Sequence, residues 1–378
     1  MPRLLHLLTG LLALCLARVA LAQPGIAAPE VPARAWILVD YDSGRVLAAH
    51  AAEQRVPPAS LTKLAVAYVL FQRLRDGSLK LSDRVIVGAR AAATKGASMF
   101  LRAGQDVSVE QLLKGMIVIS ANDATVALAE QVAGSEAAFV AQMNTAMQSL
   151  GLGGTNFVTT NGLPASGHHS TARDMARLAT ALLRDFPEHY DWFAIKEFSY
   201  NGIRQYNRNA LLWRDGSADG IKTGHTREAG FCLIASARRA GMRLIAVALG
   251  AADENARVTA AQQLLDFGFR HFETRQLYAA RTALAEVRVW MGDTGALSLG
   301  PAQALYLTLP RGWHERVQAR LTVKQNQMAP IRAGQPVGML VLELDRDPIA
   351  EYPLVALEAV AQGNVFQRAL DRVQLWFE

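Results

Sequence analysis

Three short groups of residues in this 378-residue chain could do covalent chemistry. The first is Ser60-Leu61-Thr62-Lys63, the one place where a lysine follows a serine by three residues. On a helix such residues share a face, so the Lys63 amine can reach the Ser60 hydroxyl. A serine needs a base to become nucleophilic, and a lysine is a base only when its amine is neutral. Burial or a neighbouring cation favours that state. Alone the tetrad says little, because composition supplies about one in a chain this long. The second group, Ser120-Ala121-Asn122, lies at a break between two helical patterns and has a decoy of the same form in Ser199-Tyr200-Asn201. The third, Lys222-Thr223-Gly224, occurs once, immediately before an apolar run. Its glycine would let a substrate backbone come close.

These groups need elements to carry them. Trp36 to Tyr41 and Arg45 to Ala49 read as strands around an Asp42-Ser43-Gly44 turn. Ser60 opens a helix running to Leu74, with Leu64, Ala67, Tyr68 and Phe71 on an amphipathic face. Further helices are expected over Val109 to Val118, from Asn122 through Thr125, Leu128 and Ala129, and from a Thr171-x-x-Asp174 capping box to Leu183. Phe231 to Ala237 and Arg243 to Leu249 form a hairpin, with Arg238 and Arg239 at a solvated tip. Helices and strands are mixed without regular βαβ alternation, which predicts an antiparallel sheet with helices on it. After a boundary near residues 277–284, short strands follow at Val287 to Met291, Leu305 to Leu309, Val317 to Val323 and Val337 to Leu344, the mark of a small all-β domain. In the last segment Val365, Phe366, Ala369, Leu370, Val373, Trp376 and Phe377 fall on one helical face. Two readings stand there: a helix docked on its own domain, or an interfacial membrane anchor.

Composition is that of a globular protein, 51% hydrophobic and 19% charged, without repeats or low-complexity runs. Arg3, the apolar run from Leu4 to Val19 and Ala20-Leu21-Ala22 read as a signal peptide cut after Ala22. Its loss takes Arg3, Arg18 and Cys15, lowers the formal charge from +6 to +4 and leaves Cys232 as the one cysteine. An internal disulfide is thereby excluded. Cys232 reads as packing, Met99-Phe100-Leu101 as core, and His168-His169 as loop residues ahead of the Thr171 cap, with no metal-ligand spacing around them.

In this order, S-x-x-K, S-x-N and K-T-G are the signature of penicillin-binding proteins and class A β-lactamases. Asn207-Arg208-Asn209-Ala210-Leu211-Leu212-Trp213, Asp219-Gly220-Ile221, His225-Thr226 and Gly268-Phe269-Arg270 extend the match. The chain resembles the D-alanyl-D-alanine carboxypeptidases of the low-molecular-mass penicillin-binding proteins over nearly its whole mature length. That resemblance implies an α+β fold. A β-lactamase/DD-peptidase-like catalytic domain would span residues 23–280, an all-β domain 281–360 and a membrane-anchoring amphipathic helix 363–378. It implies Ser60 as the acylated nucleophile, Lys63 as its base, Ser120 as a proton relay, Asn122 on the substrate amide and Lys222 as the cation holding Ser120. Ser60 and His225 would supply oxyanion N–H groups. Thr223, Gly224, Arg208 and Arg257 would surround the substrate and its carboxylate, although Ala251 to Ala256 departs from the family pattern before Arg257. The implied partners are a peptidoglycan stem peptide ending in D-Ala-D-Ala, β-lactams as covalent inhibitors and the outer face of the inner membrane, with no nucleic acid, metal or cofactor.

Rival readings differ in particular residues. A class A β-lactamase needs a glutamate after the second motif, and none lies between Glu136 and Glu188. A DD-endopeptidase shares all three motifs, but its relatives generally lack the extra β-domain. A non-catalytic penicillin sensor would need a transmembrane segment, and a dead scaffold would be expected to lose Lys63 or Lys222.

Overall fold

A computed structural model describes residues 26–323 and 326–376; the expected signal peptide lies outside them. The chain forms two compact units, one over residues 27–274 and one from residue 275 onward.

The first unit is built on a five-stranded sheet of β1 (Ala35–Asp40), β2 (Val46–His50), β3 (Ala218–Thr226), β4 (Gly230–Arg239) and β5 (Met242–Ala251), in the order β2-β1-β5-β4-β3. Every neighbouring pair is antiparallel. β1, β4 and β5 read as continuous apolar runs because both sheet faces are covered. Ile37, Val39, Ile245 and Val247 join the core beneath one layer of helices. On the other face α6 (Glu254–His271) approaches so closely that a Cβ on Gly268 would stand 2.5 Å from Leu244 and 2.9 Å from Leu38.

The first helical layer consists of α1 (Lys63–Arg75), α2 (Val109–Val118), α3 (Asn122–Ala133), α4 (Glu136–Ser149) and α5 (Ala172–Asp185). Expected amphipathic, α1 is instead buried at every residue from Lys63 to Phe71. It packs against α2, α3, α4 and α5, so Ala65, Val66, Val69 and Leu70 are core as much as Leu64 and Phe71. Ser60 does not open this helix but lies in the 3-10 turn before it, Ala59–Thr62. Thr171 caps α5 by accepting from Asp174 N at 3.1 Å. The reciprocal half of the expected box is absent among the described bonds. Asp174 Oδ2 accepts instead from Gly154 N and Thr155 Oγ1, each at 2.8 Å, and ties a loop to the helix. At the β4–β5 hairpin only Arg238 fits the expected solvated tip. Arg239 pairs with Asp215 at 2.7 Å and Asp266 at 2.9 Å and covers the Phe269 ring.

Among the described residues the second unit is all-β apart from a 3-10 turn at His314–Arg316 and its end. Its six-stranded sheet runs Val317–Val323, Pro336–Leu344, Asp347–Ala356, Ala296–Pro301, Ala285–Trp290, Gln327–Met328. Val289, Leu297, Leu299, Leu340, Leu342 and Leu354 fill its core. The terminal helix, Val365–Gln374, starts at a capping box between Asn364 and Gln367 and has no buried residue. Polar side chains tie it down: Asp371 accepts from Met291 N, and Arg288 donates to Gln374 Oε1 at 2.7 Å. Its apolar face is left uncovered.

Candidate active site

Pro57-Pro58 delivers the chain to Ala59, which takes a left-handed φ of +49°, and the 3-10 turn then raises Ser60 beside the first residue of α1. Ser60 is half-buried, whereas Lys63 is 1% exposed. Lys63 Nζ lies 3.1 Å from Ser60 Oγ, 2.7 Å from Asn122 Oδ1 and 2.7 Å from the Asn161 carbonyl oxygen. Burial first, then the charges of Lys222 and Arg208, hold its pKa well below the lysine range, against a weaker opposing pull from Asp123. The neutral amine has two hydrogens and one lone pair. Asn122 Oδ1 and the Asn161 carbonyl can only accept, so they take both hydrogens. In that neutral form the remaining lone pair would face Ser60 Oγ, so that a deprotonated Lys63 could take the hydroxyl's proton.

The second motif occupies the corner between α2 and α3. Ser120, 4% exposed, has φ +63°, a conformation costing a non-glycine residue about 1–3 kcal/mol unless its surroundings hold it. Asn122 is oriented from both ends, since its Nδ2 donates to the Lys95 carbonyl at 2.7 Å while its Oδ1 serves Lys63. One amide hydrogen remains for a substrate. A Cβ at Gly96 would stand 2.7 Å from that Nδ2.

The third motif, expected just ahead of a strand, is within one: Lys222 to His225 pair with Ile234 to Phe231 of β4. Lys222 is 3% exposed and donates to the Thr223 carbonyl at 3.1 Å. Burial, Arg208 and Arg257, in that order, lower its pKa to about 7. A Cβ on Gly224 would meet Pro58 O at 3.0 Å and Ser60 N at 3.2 Å, so glycine lets β3 lie against the Ser60 peptide. His225 is exposed and stacks on Phe231, ring centres 4.0 Å apart. Buried Asn209 donates to the Gly220 carbonyl at 3.0 Å and staples the Asn207–Trp213 segment to β3, leaving Arg208 exposed. Arg257, at the start of α6, is buried; it donates to the Arg208 carbonyl at 3.1 Å and pairs with Glu254. Its Nε has no partner among the described residues. The expected site residues thus converge from the turn before α1, the α2–α3 corner, β3 and the start of α6.

Other participants carry no motif. Asp123, 1% exposed, accepts from Ser98 Oγ at 2.6 Å, Met99 N at 3.0 Å and Leu101 N at 3.1 Å, folding the 98–101 loop over the α3 terminus. In that loop Met99 and Leu101 are core as expected, but Phe100 is 59% exposed. Asn161 contributes only its carbonyl, which no side-chain pattern reveals. His168, expected as an ordinary loop residue, is 6% exposed and bonded to Thr62. Cys232 is fully buried, and burial pushes its thiol up to about 11, as suits packing.

With this geometry described, the comparisons with known proteins are specific. Residues 22–253 match the family described as D-alanyl-D-alanine carboxypeptidase, and residues 272–362 match the C-terminal domain of penicillin-binding protein 5. The D-alanyl-D-alanine carboxypeptidase DacC of Escherichia coli is 45% identical over 364 residues, 94% of this chain and 91% of that protein. Penicillin binding protein 5 from Haemophilus influenzae superposes with a TM-score of 0.86 at 40% identity, covering 89% of this chain and all of that one. Penicillin-binding protein D2 from Listeria monocytogenes, in its ampicillin-bound form, is 28% identical with a TM-score of 0.59 over 64% of this chain. The match of family, length and fold is sufficient: this chain belongs to the D-alanyl-D-alanine carboxypeptidase family.

Proposed function

We propose that the protein removes the terminal D-alanine from peptidoglycan stem pentapeptides by way of an ester on Ser60. The observation that carries this reading is the placement of the buried Lys63 Nζ, 3.1 Å from Ser60 Oγ and 2.7 Å from two oxygens that can only accept. Ser60 Oγ attacks the carbonyl carbon of the penultimate D-alanine while its proton passes to Lys63 Nζ. The tetrahedral oxyanion is held by the N–H groups of Ser60 and His225, where one donor can be worth about 3 kcal/mol. Its collapse breaks the peptide C–N bond, and the leaving amine takes a proton through Ser120, the relay that Lys222 would hold in this reading. Thr223, Arg208 and Arg257 receive the substrate carboxylate, and Asn122 offers its remaining amide hydrogen to the substrate backbone. β3 is the sheet's edge strand, onto which an extended peptide can add beside Gly224. Water then hydrolyses the ester and restores Ser60. A β-lactam would enter the same steps and remain as the ester.

The test is D-alanine release by residues 23–378 from a monomeric pentapeptide and a cross-linked muropeptide dimer, with products identified by mass and Ser60→Ala as control. Release from the pentapeptide with the dimer intact is expected. Cleavage of the dimer would make the enzyme an endopeptidase, and inactivity on both with penicillin still bound would make it a scaffold.

The same reading places the protein outside the inner membrane, exported by the leader and held at the surface by its last helix. No helix among the described residues is long and apolar enough to cross a membrane. Val365, Phe366, Leu370 and Val373 are between 56% and 79% exposed on one face of that helix, and Trp376 just beyond its end is 89% exposed, which supports shallow insertion.

A further inference from the structure

Behind the nucleophile, a directed chain of hydrogen bonds starts at His168. Val158 N donates to His168 Nδ1 at 2.9 Å, and a backbone N–H can only donate. Nδ1 is therefore unprotonated, and the neutral ring carries its hydrogen on Nε2. That nitrogen lies 2.9 Å from Thr62 Oγ1, so the ring donates to the hydroxyl. The single hydroxyl hydrogen goes on to the Ala59 carbonyl oxygen at 2.8 Å. All three residues are buried. Burial, with a smaller push from His169, lowers the His168 pKa to about 4, so the neutral ring persists at neutral pH.

The carbonyl at the end of this chain belongs to the peptide whose N–H is that of Ser60. Ala59 holds φ +49°, a left-handed conformation that an L-residue keeps only when its surroundings enforce it. Two glycines close on this peptide: a Cβ at Gly162 would stand 1.9 Å from Ala59 O, and one at Gly224 would stand 3.2 Å from Ser60 N. Packing sets the plane of the peptide, and the Thr62 hydroxyl loads its carbonyl end.

We propose that His168 is a positioning residue for the reaction: through Thr62 it orients and polarises the Ala59–Ser60 peptide so that Ser60 N–H donates to the substrate oxyanion. The inference rests on the reading above that Ser60 N–H is one of the two oxyanion donors. A peptide whose C=O accepts a hydrogen bond donates more strongly from its N–H. A donor fixed before the reaction needs no reorganisation during it. The directed chain also explains why a histidine fills this buried place. A neutral imidazole accepts at one nitrogen and donates at the other, whereas an aliphatic side chain would leave Val158 N and Thr62 without their partner.

The experiment reads the ester carbonyl of the penicilloyl enzyme by infrared spectroscopy with a ¹³C-labelled β-lactam, beside the acylation rate constant and the non-covalent affinity that precedes it. Thr62→Val removes the hydroxyl at nearly constant volume. It should slow acylation by about tenfold, leave the prior affinity within about twofold and move the carbonyl to higher frequency. Thr62→Ser should restore both frequency and rate. His168→Gln, which keeps an acceptor and a donor, should fall between, and Thr62→Val with His168→Gln should be no slower than Thr62→Val alone. Thr62→Val with wild-type frequency and wild-type acylation would overturn the proposal, whatever its melting temperature. A wild-type carbonyl no lower in frequency than that of the denatured acyl-enzyme would instead sink the oxyanion reading beneath it.

Discussion

Lys63 and Lys222 are chemically identical side chains whose neighbours assign them different work. Burial and neighbouring cations push each below the lysine range, Lys222 to about 7 and Lys63 well below its ordinary value, the latter by burial first and then by the charges of Lys222 and Arg208. In the proposed reaction the base must be neutral and the cation holding the relay charged, so acylation should rise with pH as Lys63 loses its proton and fall as Lys222 loses its own. The descending limb of the acylation rate against pH is expected near 7, with apparent constants belonging to the coupled pair. Lys222→Arg, which keeps its charge, should carry that limb upward by at least about one unit where the side chain is accommodated. The same depression costs stability. An unfolded Lys222 binds a proton up to about pH 10.5 and the folded one only up to about 7, so stability rises with pH between those values. Lys222→Met should therefore raise the melting temperature at pH 7 while abolishing turnover, and the gain should shrink toward pH 10. Thermal unfolding at the two pH values measures it.

Among the elements, the site depends on loops that two unremarkable residues hold in place. Gly162 has φ +83° and sits against the Ala59 carbonyl, so Gly162→Ala meets both strain and a clash with backbone. A loss of at least about 2 kcal/mol is expected, along with penicillin labelling of Ser60. Labelling retained at wild-type rate in a protein of unchanged stability would contradict this. Asp123 gathers the 98–101 loop through acceptors on both carboxylate oxygens. Asp123→Asn keeps the size but turns one acceptor into a donor facing donors, at a cost of about 1–3 kcal/mol. Hydrogen exchange should report it as lost protection at Met99 and Leu101.

At the scale of the molecule, the terminal helix is joined to its unit by polar contacts and turns its apolar side outward, the inverse of a helix docked on a core. Ending the chain at Gly363 should leave D-alanine release from a soluble pentapeptide unchanged and abolish sedimentation with phospholipid vesicles. Phe366→Glu combined with Leu370→Glu should weaken vesicle binding by at least about tenfold without shortening the chain. Unchanged sedimentation of both variants would remove the membrane assignment.

The sequence by itself determined the three motifs, the mixed fold with its all-β second part, and the hairpin that carries the central strands. Each of these is written in local order: residue types at fixed spacing, periods of two or 3.6, and turn residues between them. It could not reveal that α1 is buried all round, because an alanine- and valine-rich face looks the same whether solvent or a helix lies beside it. The S-x-N pattern alone did not distinguish Ser120 from the decoy Ser199, which the fold places on a separate short hairpin. The Asn161 carbonyl, the Asp123 acceptors and the His168–Thr62 chain were decided by tertiary structure alone. They join residues up to 106 positions apart, through backbone groups that every residue possesses or through side chains whose partners are set only when the loops close. The motifs name the chemistry, and the long-range contacts supply the burial, the proton states and the orientation on which it depends.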